Sequence, residues 1–176
     1  MIPPRILLTG APGSGKTTVV RAVVRLLAGV QAAGFYTEEV RGRAGRTGFR
    51  IVGLDGSAGR LASMGGQSGP RVGRYLVHVS EFEAVALPQL EIRPGLELLV
   101  IDEIGKMECL SPAFVAAARR VLAAPVPLLA TVALAGGGLI AEAKRAQGVD
   151  VVSVSPEDRD VLPARLAARL RPAPAG

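Results

Sequence analysis

The sequence predicts an α/β fold: a mostly parallel central sheet flanked by helices, with extra antiparallel strands inserted after the first helix. Three observations carry this reading. Gly10 to Thr17 reads G-A-P-G-S-G-K-T and fits G-x-x-x-x-G-K-[ST], set between a short apolar run and a helical pattern. Leu96 to Glu103 is an apolar run closing on two acids, and a strand apolar on both faces belongs inside a parallel sheet. Between Gly34 and Val79, short alternating segments are separated by glycine-containing turns, as in antiparallel strands.

Composition sets the outer limits. The 176 residues suit one domain, 1–176, long enough to bury a core, and 49% of them are hydrophobic. No apolar run approaches the roughly 20 residues that span a bilayer, so no membrane partner is expected. The first apolar run already belongs to the glycine loop, so no leader is expected. Cys109 is the only cysteine, which excludes an intrachain disulfide and suggests a cytoplasmic protein. A net charge of +6 and a pI near 10.4 raise nucleic-acid binding. That partner is not favoured, because the arginines are spread along the chain and aromatics make up only 3%. Of the three lysines, Lys16 and Lys106 fall inside motifs and Lys144 does not.

Taken in order, Arg5 to Thr9 reads as a buried strand. The loop residues Gly10, Ala11, Pro12, Gly13, Ser14, Gly15, Lys16, Thr17 and Thr18 follow as a phosphate cradle. Glycines let the backbone take positive φ and come close to a ligand, and the loop amides with the helix N-terminus favour an anion. Lys16 brings charge to the β- and γ-phosphates, and the Thr17 hydroxyl is placed to ligate Mg²⁺. Val19, Val20, Val23, Val24 and Leu27 then keep helical spacing. Gly34 to Val40 and Phe49 to Leu54 form a hairpin across a polar turn at Arg41–Thr47. Glu38 and Glu39 face opposite ways near its end, so at most one points at the cleft. Leu61–Met64 is a further strand, Gly65–Pro70 a loop, and Tyr75, Val77 and Val79 alternate as a strand with His78 on its outer face. Ser80 and Glu83 fit a capping box that opens a helix, with Pro88 near its end.

Leu98, Leu99, Val100 and Ile101 carry the central strand to Asp102 and Glu103, in the manner of a Walker B segment. Ligands of such sheets bind at the carboxyl ends of strands. Asp102 is therefore expected to hold the Mg²⁺ shell with Thr17, and Glu103 to activate or position water. Ile104 and Gly105 lead to Lys106. That lysine is read either as a charge stabiliser in the manner of an arginine finger or as a partner of Glu108 or Glu103. Ser111-Pro112 marks a helix N-cap and first turn. Val126 to Ala130 is a strand whose closing Thr131 sits at the cleft end. A helix from Leu139 to Gln147, a strand from Val149 to Val154 and a capped helix from Ser155-Pro156-Glu157-Asp158 complete the chain, before a tail at Arg171–Gly176.

These motifs in this order resemble the cancer-related, thermophilic-type nucleoside-triphosphatase family of the P-loop superfamily. The resemblance rests on Gly10–Thr17, Gly34-Phe35-Tyr36-Thr37-Glu38-Glu39-Val40-Arg41 and Val72-Gly73-Arg74-Tyr75. It continues through Phe82–Pro88, Asp102-Glu103-Ile104-Gly105-Lys106-Met107-Glu108, Ala130-Thr131 and Pro156–Asp160. It implies a RecA-like sheet and Mg²⁺-dependent hydrolysis of ATP, GTP and other triphosphates to diphosphate and phosphate, with broad base tolerance. It also implies nucleotide contacts from Gly10–Thr17 and Leu98–Gly105. The glycine-rich, uncharged segment Ala133–Gly138 departs from the more polar loop that the resemblance leads one to expect. The expectation is a monomeric enzyme acting on a small-molecule nucleotide. Its rivals are a nucleotide or small-molecule kinase and a nucleotide-dependent nucleic-acid-binding switch.

Overall fold

The computed structural model describes residues 2–172; the tail expected at the C-terminus lies, past Pro172, outside them. In chain order the elements are β1 (Arg5–Thr9), α1 (Lys16–Leu26), β2 (Ala32–Gly42), β3 (Gly45–Gly53), β4 (Ala58–Met64), β5 (Arg71–Val72), β6 (Tyr75–Val77) and α2 (Val79–Gln89). They continue as β7 (Leu98–Ile104), a 3-10 turn at Glu108–Leu110, α3 (Pro112–Ala123), β8 (Leu128–Val132), α4 (Leu139–Arg145), β9 (Val149–Ser153) and α5 (Leu162–Leu170). Among the described residues the strands form one sheet in the order β5-β6-β4-β3-β2-β7-β8-β1-β9. From β2 to β9 the pairing is parallel, and from β2 outward to β5 it is antiparallel. The inserted strands thus extend the parallel sheet. The fold class read from the sequence is the one found.

Strand side chains alternate between faces, and both faces are covered. Leu7, Leu99 and Ile101 join Phe35, Phe82 and Phe114 in the core beneath α2, α3 and α4. Ile6, Leu8, Leu98 and Val100 join Val19, Val23, Leu162 and Leu166 beneath α1 and α5. This explains why β1 and β7 read as continuous apolar runs. The three phenylalanines meet edge to face, with centroids 5.3 to 6.1 Å apart. No described helix is long and apolar enough to cross a membrane.

Local chemistry departs from the sequence reading in three places. Val79 starts α2 instead of continuing β6, and His78 sits at that helix's N-cap, with Nε2 2.8 Å from Ser63 Oγ. The Ser80–Glu83 capping box does not form. Ser80 already lies inside the first turn, and Glu83 instead accepts from Ser111 Oγ at 2.5 Å, tying α2 to α3. Ser155 does not open the last helix. Its hydroxyl pairs with Asp158 at 2.9 Å in a local turn, and α5 begins only at Leu162, with Pro163 in the first turn where a missing N–H is harmless. The Ser111 cap does form: its Oγ accepts from the Phe114 amide at 2.9 Å.

Candidate active site

Residues 10–15 link the carboxyl end of β1 to α1. A Cβ at Gly10 would lie 2.7 Å from the Val154 carbonyl oxygen and 2.8 Å from Ser14 Oγ, so only glycine lets the loop pass there. Gly15 caps α1 at φ +100°, a left-handed conformation that side chains disfavour. The Ser14 amide donates to the Ala11 carbonyl at 3.1 Å and tightens the turn. Lys16 curls over the loop, its Nζ donating to the carbonyls of Gly10 at 3.0 Å and Ala11 at 3.3 Å. Ala11, Pro12, Gly13 and Thr18 are exposed, whereas Lys16 and Thr17 are half-buried.

Parallel pairing of β7 with β8 brings Asp102 beside Thr131, which is fully buried. The Thr131 hydroxyl donates to Asp102 Oδ1 at 2.6 Å. The second oxygen, Oδ2, is buried and has no partner among the described residues, as is also true of Thr9 Oγ1 and Ser14 Oγ. Burial pushes the Asp102 carboxyl above its ordinary range. The Thr131 bond opposes that, and the Thr17 hydroxyl, the Lys16 ammonium and the Thr37 backbone add smaller pulls the same way. Asp102 therefore sits within electrostatic reach of both motif residues of α1.

Two further acids follow. Glu103 is pushed up by burial first and by the Asp102 charge second, against the pull of Lys16. Glu108 is 5% exposed, and its carboxyl is pushed up to about 8 by burial and then by Glu103. Gly105 lies between them: a Cβ there would be 2.8 Å from Glu108 Oε2 and 3.4 Å from Glu103 Cδ. Among the described residues no group of three or more His, Cys, Asp or Glu is arranged to hold a metal.

The sequence-predicted residues divide. Lys16, Thr17, Asp102 and Glu103 converge. Leu98, Leu99, Val100 and Ile101 are 0% exposed and position the acids from within the core, so their side chains present no surface to a nucleotide. Lys106 is exposed and makes no ion pair with Glu103 or Glu108 among the described residues, which overturns the ion-pair reading. Glu38 and Glu39 do face opposite ways. Glu38 joins Arg21 of α1 at 3.0 Å to Arg50 at 2.7 Å, while Glu39 holds Arg41 and Arg46. Lys144, which no motif explained, donates to the Leu134 carbonyl at 2.8 Å and steadies the Ala133–Gly138 segment.

Sequence reasoning missed the burial of Glu108, because a glutamate two residues from a lysine reads as solvated. It also missed the pairing of Thr131 with Asp102, although both close apolar strands, and that shared position was the available signal. A cavity of about 610 Å³, lined by Ile2, Arg5, Arg119 and Gln147 among others, opens at the far end of β1 and carries none of these residues.

Comparison with known proteins places this geometry. The family model described as NTPase matches residues 5–167. The "Cancer-related nucleoside-triphosphatase homolog" of Bos taurus is 40% identical, with 89% of this chain and 91% of that protein covered. "Nucleoside-triphosphatase THEP1" of Thermofilum pendens is 41% identical, with 92% of each covered. The crystal structure of THEP1 from Aquifex aeolicus superposes with a TM-score of 0.86 at 37% identity, covering 96% of this chain and 99% of that one. The solution structure of a human cancer-related nucleoside triphosphatase gives 0.79 at 38% identity, covering 94% and 96%. With the P-loop, the acidic strand end and this agreement across nearly the whole chain, the protein belongs to the NTPase family of nucleoside-triphosphatases.

Proposed function

We propose that the protein hydrolyses ATP, GTP and other nucleoside triphosphates to diphosphate and phosphate with Mg²⁺ and little base preference. The observation that carries this is the buried Asp102 carboxylate, whose Oδ1 accepts from Thr131 and whose Oδ2 has no partner among the described residues, set in the field of Lys16 and Thr17. Phosphoryl transfer asks the protein mainly for positioning and electrostatics. The loop amides and Lys16 hold the β- and γ-phosphates.

Mg²⁺ fits the donors present. It prefers oxygen, and it is commonly held by one or two protein oxygens together with phosphates and water. One carboxylate oxygen and one hydroxyl, from Asp102 and Thr17, meet that demand, and they make a dedicated cluster of acids unnecessary. An ion held by these two residues would supply positive charge to offset that of the phosphates. Glu103, its proton affinity raised by burial and by Asp102, takes the proton of the attacking water at its carboxylate. Lys106, free of ion pairs among the described residues, neutralises the charge that develops as the bond to the leaving diphosphate breaks.

The kinase reading weakens on one observation. Arginines of a lid must be free to turn onto phosphate, whereas three of the four in the hairpin are engaged, Arg41 and Arg46 by Glu39 and Arg50 by Glu38, which leaves Arg43 at the turn without a carboxylate partner among the described residues. A cytoplasmic location is the reading that the lone Cys109 supports. Phosphorus NMR of ATP, GTP, CTP and UTP incubated with the protein, with and without Mg²⁺, tests the proposal. Diphosphate and inorganic phosphate in equal amounts from all four, only with Mg²⁺, is the expected result. No inorganic phosphate at any stage, with diphosphate formed from both nucleotides only once a nucleoside monophosphate is added, would replace hydrolysis by kinase chemistry.

A further inference from the structure

Resting on the nucleotide reading above, the geometry points to Arg159 as the contact for the nucleobase, and as the reason that the base is not discriminated. The sheet order sets the direction. β1 lies between β8 and β9, and Asp102, Glu103 and Thr131 all stand on the β7–β8 side. A triphosphate in the loop turns its reacting end toward those groups. Its nucleoside end then leaves over the opposite flank, where residues 154–161 follow β9.

That segment is fastened to the loop at its root. The Val154 amide donates to the Thr9 carbonyl at 2.7 Å, and the Ser155–Asp158 pair fixes the turn that follows. Arg159 rises from this turn and lays its aliphatic shaft over Gly15. A Cβ built on that glycine would lie 3.2 Å from Arg159 Cδ and 3.6 Å from its Cβ. The shaft is placed, but the head is loosely held. Its guanidinium makes no hydrogen bond among the described residues, and its ion pair there is a 3.9 Å contact to Asp160, a side chain 90% exposed. Arg21, Arg46, Arg60, Arg119 and Arg169 are each engaged by a carboxylate at 3.0 Å or less.

The chemistry selects the base over the phosphates as the partner. Glu157, Asp158 and Asp160 surround Arg159 in the sequence and leave the segment net negative, an unfavourable place for a triphosphate. A flat guanidinium can stack on an aromatic face, and every base offers one. Stacking reads no donor or acceptor pattern, so it binds purines and pyrimidines alike.

The test is calorimetric binding, with Mg²⁺, of ADP, GDP, CDP, UDP and pyrophosphate to wild type, Arg159→Ala, Arg159→Gln and Lys16→Ala. Diphosphates avoid turnover, and pyrophosphate has no base. Both Arg159 variants should bind all four nucleotides about threefold to thirtyfold more weakly, with pyrophosphate binding unchanged. Equal loss for pyrophosphate would make Arg159 a phosphate contact and overturn the inference, as would no loss at all. Lys16→Ala separates the two levels. It should lose nucleotide and pyrophosphate together, and a Lys16→Ala protein that still binds both would remove the nucleotide reading itself.

Discussion

Replacing Glu108 by Gln should make the protein more stable at alkaline pH and nearly indifferent to the change in mild acid. The native carboxyl titrates at about 8, against 4.5 when unburied, because it lies in the core close to Glu103 and Asp102. The folded state therefore binds this proton more tightly than the unfolded state. Below pH 4.5 the group is neutral in both states and costs nothing. As pH rises toward 8, folding must hold a proton that the unfolded chain releases, and above 8 it must bury a charge. Stability falls through this window by about 1.4 kcal/mol per pH unit, about 5 kcal/mol across it. Gln keeps the shape and removes the proton. Urea unfolding at pH 5, 7 and 8.5 measures the effect. The midpoints of wild type and Glu108→Gln should lie close together at pH 5 and diverge progressively above it, the variant higher. Parallel pH dependences in the two proteins would refute the argument, because the buried charge would then not reside on Glu108.

Two further substitutions test other links. Thr131→Val removes the donor to Asp102 without changing volume much, so it should cost about 1–3 kcal/mol in urea unfolding and lower turnover more than nucleotide affinity. Phe114→Ala opens a void in the three-ring cluster and should cost about 3–5 kcal/mol, read as a lower melting temperature, with the site's pH profile unmoved.

What could be read from the sequence follows from how local the cause is. The phosphate loop was legible because Gly10 to Thr17 encodes its own geometry and β1 and α1 flank it directly. The central strand was legible because Leu98 to Ile101 are apolar on both faces, which only a doubly covered sheet accepts. The hairpin was found, and its strands proved longer than expected: β2 and β3 pair on to Gly42 and Gly45, leaving a two-residue turn. Contacts between distant residues were not legible. Ser80 and Glu83 satisfy a capping pattern, yet Glu83 is claimed by Ser111, which is 28 residues away in the chain. Ser155 to Asp158 also satisfies one, but there the local turn closes on itself and the helix waits for Leu162. Glu108 looks solvated in sequence and becomes buried only because the turn after β7 folds it beneath the acids. Arg159 was legible only as a member of the Pro156–Asp160 string, and its position over Gly15 was not.

The central claim is that one site, made by the loop and the end of β7, binds the triphosphate and hydrolyses it. Phosphate release from ATP with Mg²⁺, measured beside ATP binding for wild type, Lys16→Ala and Glu103→Gln, tests it most directly. The account predicts that Lys16→Ala loses both, and that Glu103→Gln keeps binding while turnover falls about a hundredfold or more. Wild-type turnover in Glu103→Gln, or near-normal phosphate release by Lys16→Ala, would contradict it.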